Sequence, residues 1–244
     1  MKYALVNNER QEARPGLDGR CPSCDDSTIA KCGKIKIHHW AHKGKLMCDP
    51  WWENETEWHR KWKGHFPKEW QEVIHFDENS ERHIADVKTD HGLVIEFQHS
   101  AIKTEERHSR EFFYKNMIWF VDGTRRKNDK NCFISHVESS GIIDVSREER
   151  ILIRFGKCPL LRDWWESTFP VFFDLGENRL WVLISKTSKK YLFAVDRDKL
   201  ISSLLHNSQL KDFTELSKHW NNRIAFHEWH LNWHPGRAGR QIRR

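Results

Sequence analysis

The segment between residues 82 and 98 restricts the possible folds of this chain more than any other. Apolar and polar residues alternate on both sides of Asp90-His91-Gly92, which is typical of two β-strands joined by a three-residue loop. Glycine suits the last loop position because it adopts the left-handed backbone region without strain. Such a loop places Asp86 directly opposite Glu96, with Cβ atoms about 4.5–5.5 Å apart.

Two carboxylates at that separation repel each other unless a cation lies between them. Mg²⁺ and similar hard cations bind carboxylate oxygens at about 2.1 Å. Asp86 and Glu96 are therefore candidate ligands for Mg²⁺ or Mn²⁺. The alternative is a partly exposed hairpin face that carries acidic residues without a metal.

A predicted helix upstream adds three polar side chains that could reach the same point. Glu55, His59 and Lys63 follow one another at intervals of four residues, so they lie along one helical face. An acid, an imidazole and an amine on one stripe suit a centre that binds phosphate and metal. A solvent-exposed stripe of mixed charge is the alternative. The candidate caps of this helix are Asn54 and Thr56, and the acids that could replace Glu55 are Glu53 and Glu57.

The cysteines predict a second metal site near the start of the chain. Cys21 and Cys24 form a C-x2-C turn, and His39 and His42 follow fourteen residues later as H-x2-H. Two thiolates and two imidazoles complete a tetrahedral zinc site, and four protein ligands leave no open position for chemistry. We therefore predict a structural zinc module, against the alternative of unligated cysteines. Rival ligands in the same segment are Cys32, His38 and Cys48.

Composition indicates a protein that binds a polyanion. The formal net charge is +6 with a pI near 9.0, and 13 of the 244 residues are Trp. Basic residues interleaved with aromatic faces suit single-stranded nucleic acid, although an unusually aromatic core is the favoured explanation for most of the Trp residues. No apolar run reaches the roughly 18 residues of a membrane-spanning helix, and the opening residues lack a signal-peptide pattern. We expect a cytoplasmic protein with no membrane contact.

Hydrophobic periodicity predicts an α/β (α+β) protein with three regions. They are a zinc module over 1–50, a core over 51–140 and a small C-terminal α+β region with a basic tail over 141–244. Predicted strands lie at Tyr3 to Val6 and near 71–76, 82–89, 93–98, 117–121 and 132–137. A meander of three strands follows over 169–195. Predicted helices span about 55–64 and 104–116, and another starts at Asp196 or Asp198.

Several motifs together resemble a known family. Asp86, followed after nine residues by Glu96-x-Gln98, resembles the core of the PD-(D/E)XK nuclease superfamily, which normally has Lys where this chain has Gln98. Within that superfamily the chain resembles the CoiA-like competence nucleases over about residues 1–122. The matching segments are HWAH at 39–42, ETEWHRKWK at 55–63, ADV at 85–87, IEFQHS at 95–100 and the pair Arg110 and Tyr114.

This resemblance implies a restriction-endonuclease-like mixed sheet flanked by helices and a Mg²⁺- or Mn²⁺-dependent deoxyribonuclease. It implies that Glu55 joins Asp86 and Glu96 as a metal ligand, with help from the Phe97 carbonyl. Gln98 would orient the attacking water, and Lys63, or alternatively Lys88, would supply the positive charge that an amide lacks. The residues predicted to bind nucleic acid are Lys88, Arg110, Tyr114, Arg125 and Arg126; for Arg110 and Tyr114, packing of a helix on the sheet is the alternative.

Two functions of different classes follow. The first is a metal-dependent nuclease that acts on double- or single-stranded DNA in uptake, recombination or defence. The second is a non-catalytic nucleic-acid-binding or scaffold protein that retains the nuclease fold. The C-terminal region, with its Lys, Arg and Trp, suggests a nucleic-acid clamp or a surface for a protein partner or a second copy of the chain.

Overall fold

The computed structural model describes residues 1–44, 48–51, 53, 55–139, 150–153, 158–186 and 189–206, with isolated residues 218, 220, 222 and 225. Within these ranges no helix combines the length and apolarity that a membrane crossing requires. The predicted basic tail lies outside the described residues.

The described residues form two sheets and five α-helices, which confirms the predicted mixed α+β class. The strands are β1 (Tyr3–Val6), β2 (Glu9–Glu12), β3 (Asp18–Arg20), β4 (Ser27–Lys31), β5 (His39–His42), β6 (Gln71–Phe76), β7 (Arg82–Lys88), β8 (Val94–Gln98), β9 (Met117–Asp122), β10 (Arg150–Ile153), β11 (Val171–Asp174), β12 (Arg179–Lys186) and β13 (Lys189–Asp196). The helices are α1 (Glu57–Lys63), α2 (Thr104–Tyr114), α3 (Asp129–Ser139), α4 (Pro159–Asp163) and α5 (Arg197–His206).

The first sheet contains five antiparallel strands in the order β2-β1-β3-β4-β5. Its apolar core is small and centres on Trp40 and Cys21, both almost fully buried. Of these strands the sequence predicted only β1. The others were missed because short, polar strands such as Glu9–Glu12 carry no alternation of apolar residues. So small a core gains most from a staple such as a metal.

The second sheet has eight strands in the order β10-β13-β12-β11-β9-β8-β7-β6. It is mixed: β8, β9 and β11 run parallel, whereas the other neighbouring pairs are antiparallel. Helix α2 makes the crossover between β8 and β9 that a parallel pair requires. Every residue of Met117–Asp122 is buried, as expected for a central strand covered on both faces. The predicted meander is confirmed as β11, β12 and β13, which continue the sheet beyond residue 140.

Helices cover both faces of the eight-stranded sheet. On one face, Trp62 of α1 and Leu200 of α5 pack against Phe97, Phe120 and other strand residues. On the other face, Phe113 of α2, Phe133 of α3 and Leu160 of α4 pack against a second apolar cluster. The sheet is therefore the middle layer of three, and α1 contacts β8 beside Glu96, where His59 bonds to the Phe97 carbonyl.

One predicted strand is wrong. Residues 132–137 belong to helix α3, which runs from Asp129 to Ser139. Phe133 and Val137 are buried, while Ser135 between them is exposed. A spacing of four residues between buried positions is helical, and the β-branched and aromatic content of this short run misled the prediction.

Candidate active site and metal centre

The predicted hairpin register is confirmed. Val87 pairs with Ile95 and Lys88 with Val94, and Gly92 closes the loop with a φ of 85°. From Asp86 toward the start of β7, the two strands are joined by hydrogen bonds from backbone N–H groups to side chains instead of by backbone pairs. A carboxylate oxygen of Asp86 accepts from the Phe97 N–H at 3.0 Å.

Glu96 completes a reciprocal arrangement with Asp86. Its Oε1 accepts from the Asp86 N–H at 3.2 Å, and its Oε2 accepts from Arg110 Nη1 at 3.1 Å. Burial raises the pKa of Glu96 to about 8, and the charge of Asp86 adds to this effect while Arg110 opposes it. The two acids predicted to face each other therefore meet between the strands, where burial and the charge of Asp86 disfavour a second negative charge on Glu96.

Lys63 is the central cation of the site. Its side chain is 3 % exposed, and its Nζ lies 2.7 Å from Glu55, 3.0 Å from Glu72 and 3.6 Å from Asp86. Burial opposes its charge, but the carboxylates outweigh burial and raise the pKa of Lys63 above its ordinary value. The ammonium group is therefore fixed beside Asp86 and stays charged.

Glu55 lies one residue before the cap of α1. Thr56 is that cap, so the second of the two predicted caps is confirmed, and Glu55 reaches the site from outside the helix. Its carboxylate pairs with Lys63 and with Arg60. Burial raises the pKa of Glu55, but Lys63 and Arg60 reverse that effect and lower it overall.

His59 links the helix to the sheet. Its Nε2 donates to the Phe97 carbonyl at 2.8 Å, and its Nδ1 accepts from the Thr56 N–H at 3.3 Å, which closes a capping box. Burial lowers the pKa of His59. A neutral imidazole held at both nitrogens positions α1 against β8 at the point where Asp86 and Glu96 meet.

Gln98 is almost fully buried beside the acids. Its Nε2 donates to the Glu53 carboxylate and to the Ser100 carbonyl at 3.2 Å. Its Oε1 is buried, with no hydrogen-bond partner among the described residues. Gln98 is not among the residues that line the cavity described below, so its predicted role of orienting a water molecule stays a prediction.

Glu72 is a site residue that the sequence did not reveal. Its backbone has a φ of 48°, a strained conformation for a non-glycine residue, and its carboxylate accepts from the N–H groups of Lys2 and Tyr3. Burial alone would raise the pKa of Glu72, but Lys63 and nearby donors lower it to about 2. The only feature of the sequence that could have identified Glu72 is its position in β6, the predicted strand that comes before the strand of Asp86.

Apart from Gln98, the side chains described above line one cavity of about 70 Å³. Its acids outnumber its side-chain cations, Lys63 and Arg110; they are Asp49, Glu53, Glu55, Glu72, Asp86 and Glu96. Carboxylate oxygens are the donors that hard cations such as Mg²⁺ and Mn²⁺ prefer, so the chemistry of these side chains is compatible with such an ion. The structure does not bring Glu55 to Asp86 and Glu96 as a third ligand. Among the described residues, one group of three or more His, Cys, Asp or Glu side chains has all its ligand atoms within 4.8 Å of one another. It is the Cys/His cluster of the N-terminal module, and not the acids of this cavity.

Arg110 and Tyr114 were predicted to bind nucleic acid, with packing as the alternative. Both residues are only 4 % exposed, which leaves little surface for a ligand to contact. Arg110 is held by Glu96, by Glu106 and by the Trp51 carbonyl. The Tyr114 ring packs against Trp51 and neighbouring aromatic rings. The structure therefore favours the packing alternative for both.

The other three predicted nucleic-acid-binding residues have local partners. Lys88 Nζ lies 2.9 Å from His75 Nδ1. Arg125 donates to the His99 carbonyl at 3.2 Å, and Arg126 pairs with Asp129 at 2.7 Å. Their part in nucleic-acid binding stays a prediction.

The N-terminal module contains a cluster that could hold a metal such as zinc. Its ligand atoms belong to Cys21, Cys24, His42 and Cys48, and all lie within 4.8 Å of one another. The Cys21 and Cys48 sulfurs are 3.7 Å apart, close to the roughly 3.8 Å edge of a tetrahedron with 2.3 Å zinc–sulfur bonds. Burial and the Cys21 thiol raise the pKa of Cys48 to about 12. A bound cation would reverse this shift, since a coordinating thiol is deprotonated.

His39 was predicted as a zinc ligand, but it does not belong to the cluster. His39 and His42 both lie in β5, and an odd separation along a strand directs their side chains to opposite faces. His39 Nδ1 lies instead 2.9 Å from the Ile37 carbonyl. Cys48, one of the rival ligands, takes the fourth position. It comes from beyond β5, so the spacing alone did not select it.

The cluster is joined to the candidate active site by Asp49, the residue after Cys48. The Asp49 carboxylate accepts from the Ile84 N–H and contacts His83 Nδ1, both at 2.8 Å. Residues 48 and 49 therefore tie the module to β7, the strand that carries Asp86.

Comparison with known proteins gives one finding. Residues 8–50 match the family model described as competence protein CoiA, N-terminal domain. The match covers β2 to β5 and all four residues of the Cys/His cluster, and it ends before α1. No curated protein and no solved structure matches the chain. The predicted resemblance to CoiA is thus supported for the N-terminal module.

Proposed function

We propose that this protein is a divalent-metal-dependent deoxyribonuclease with a role in competence. The observation that carries the proposal is the meeting of Asp86 and Glu96 between β7 and β8, with Lys63 Nζ 3.6 Å from Asp86. The match of residues 8–50 to the CoiA N-terminal domain supports the role in competence.

Asp86 and Glu96 would hold Mg²⁺ or Mn²⁺. When bound, such an ion polarises a phosphodiester and lowers the pKa of a bound water. Gln98 would orient the attacking water, the role that the resemblance implies for this position; its Oε1 has no hydrogen-bond partner among the described residues. Lys63 stabilises the negative charge that develops on the phosphate, because its ammonium group is already fixed and desolvated.

Lys63 therefore takes over the charge that Gln98 cannot provide. An amide donates and accepts hydrogen bonds but carries no charge. The resembling superfamily places its lysine on the second strand, two residues after the glutamate. Here the cation comes from α1, and its Nζ lies 3.6 Å from Asp86.

DNA cleavage with matched carboxylate variants tests this proposal. The purified protein is incubated with supercoiled plasmid, linear duplex, single-stranded DNA and RNA, with Mg²⁺ or Mn²⁺ or without either. We expect metal-dependent cleavage of DNA that falls at least about 100-fold in Asp86→Asn and in Glu96→Gln, as loss of a metal ligand should cause. The control, Glu78→Gln, alters an exposed carboxylate and should cleave like the wild type.

A second function has one observation in its favour. Arg110 pairs with Glu96 and Lys63 with Asp86, so both acids are partly neutralised without a metal. This pairing suits a non-catalytic DNA-binding protein. The same assay separates the two: DNA binding with no cleavage under any metal condition would support the binding protein and overturn the nuclease.

A further inference from the structure

The loop that joins β4 to β5 is an exposed basic tip with an apolar end. Ile35 is 98 % exposed, more than Phe112 or Phe76, the other large apolar side chains exposed in the described part of the chain. Lys34 and Lys36 flank it and are also exposed. An apolar side chain so fully exposed between two cations indicates contact with a partner rather than with the protein's own core.

The charge around this loop has one sign. No acidic residue lies between Asp26 and Asp49 in the sequence, whereas five lysines do. Of the lysines at 31, 34 and 36, none forms an ion pair within the described ranges, although the next one, Lys43, pairs with Asp18 at 3.1 Å. Lys31 at the end of β4 and Lys34 and Lys36 in the loop are thus three uncompensated cations that complement a polyanion.

The loop is mounted on a fixed support. Strands β4 and β5 pair from Thr28 and His42 up to Lys31 and His39, directly below the tip. His42 belongs to the Cys/His cluster, and Trp40 between them is 1 % exposed. The Cys/His cluster and the buried Trp40 ring hold the β4–β5 pair in place. Less conformational entropy is therefore lost when a partner binds the loop.

The base of the loop contacts the candidate active site. Arg60 Nη2 donates to the His38 carbonyl at 3.0 Å and also pairs with Glu55. Glu55 in turn contacts Lys63, the cation beside Asp86. Arg60 therefore links the base of this loop directly to a carboxylate of the cavity.

We propose that residues 32–38 bind duplex DNA, with Lys34 and Lys36 on the phosphates and Ile35 inserted at a base step of the minor groove. The choice of DNA rests on the proposed nuclease function. Apolar wedges flanked by basic residues are a general means of widening and kinking DNA from the minor groove. A lipid surface fits less well, because membrane binding scales with buried apolar area and one isoleucine offers little.

Binding of a fluorescein-labelled duplex, measured by anisotropy across a salt series without Mg²⁺ or Mn²⁺, tests this surface. We expect Lys34→Ala/Lys36→Ala to weaken binding about tenfold or more and to reduce the slope of log K against log salt by about 1.8, or 0.9 per phosphate contact. Ile35→Ser should weaken binding about tenfold with the slope unchanged, because it removes an apolar contact only. Lys103→Ala/Lys199→Ala, which alters two exposed lysines elsewhere, should bind like the wild type.

Base insertion and competing partners are measured in parallel. A 2-aminopurine probe in the duplex should brighten with the wild type but not with Ile35→Ser. Wild-type binding by both loop variants would overturn the inference, as would tighter loop-dependent binding to RNA duplexes or to anionic lipid vesicles. These outcomes leave the nuclease proposal intact. Conversely, loop-dependent binding to DNA that the wild type never cleaves would overturn the nuclease and keep the loop.

Discussion

At the scale of single residues, the site depends on carboxylates that replace main-chain hydrogen bonds. Asp86 and Glu96 accept from the N–H groups of Phe97 and Asp86, which the separated strands would otherwise leave unpaired. The same side chains thus keep the strands apart and form the cavity between them. Removing either acid has a structural cost as well as a chemical one, because a buried N–H loses its acceptor.

Substitution of Gln98 tests whether charge limits the reaction. Gln98→Lys should raise the single-turnover rate of DNA cleavage about tenfold, because it adds a cation beside the phosphate and the adjacent Glu53 carboxylate can accept it. Gln98→Met keeps the volume but removes the acceptor for water, so its rate should fall. A Gln98→Lys rate no higher than that of the wild type would show that missing charge at this position does not limit the reaction.

At the scale of elements, α3 shows how burial selects between two backbone conformations. A strand over 132–137 would bury Phe133, Ser135 and Val137 together on one face. The helix buries Phe133 and Val137, against the cluster that includes Phe173 and Trp181, and leaves Ser135 in solvent. Only contacts with distant strands distinguish the two.

Two substitutions in α3 test this assignment. Phe133→Ala should lower the free energy of unfolding by about 3–5 kcal/mol, because the ring is fully buried. Ser135→Lys should change it by less than about 0.5 kcal/mol, since the helix exposes this position. Urea denaturation measures both. A large loss in Ser135→Lys would contradict the helix and support the strand.

At the scale of the whole molecule, the two sheets are joined through the candidate site. Glu72 of the large sheet accepts from Lys2 and Tyr3 of the small one, and Asp49 beside the Cys/His cluster accepts from β7. The cluster residue Cys48 is therefore linked to the strand that carries Asp86 through its neighbour Asp49.

Zinc content provides the test at this scale. Purified protein should hold about one zinc per chain, and Cys48→Ser should lose it, whereas His39→Ala should retain it, because the cluster contains Cys48 and not His39. We also expect zinc removal by a chelator to lower the melting temperature, since binding free energy of a structural metal contributes to folding. Loss of zinc in His39→Ala with retention in Cys48→Ser would restore the ligand set predicted from the sequence.

The sequence by itself determined the features that depend on neighbours along the chain. These are the hairpin with its register and Gly92 loop, the Thr56 cap, helix α2, the C-terminal meander and the C-x2-C half of the metal cluster. Alternation, capping and turn chemistry act over a few residues, so they can be read without the fold.

Tertiary structure alone decided which distant groups complete each site. Cys48 rather than His39, Glu72 beside Lys63, and burial of Arg110 and Tyr114 all follow from the packing of segments far apart in sequence. Strand pairing and helix packing fix the direction of a side chain, whereas spacing along the chain constrains only residues in the same element. Pairing across the hairpin identified Asp86 and Glu96, and the sequence already offered Lys63 as the source of positive charge. The three-dimensional arrangement shows that the Lys63 Nζ lies 3.6 Å from Asp86.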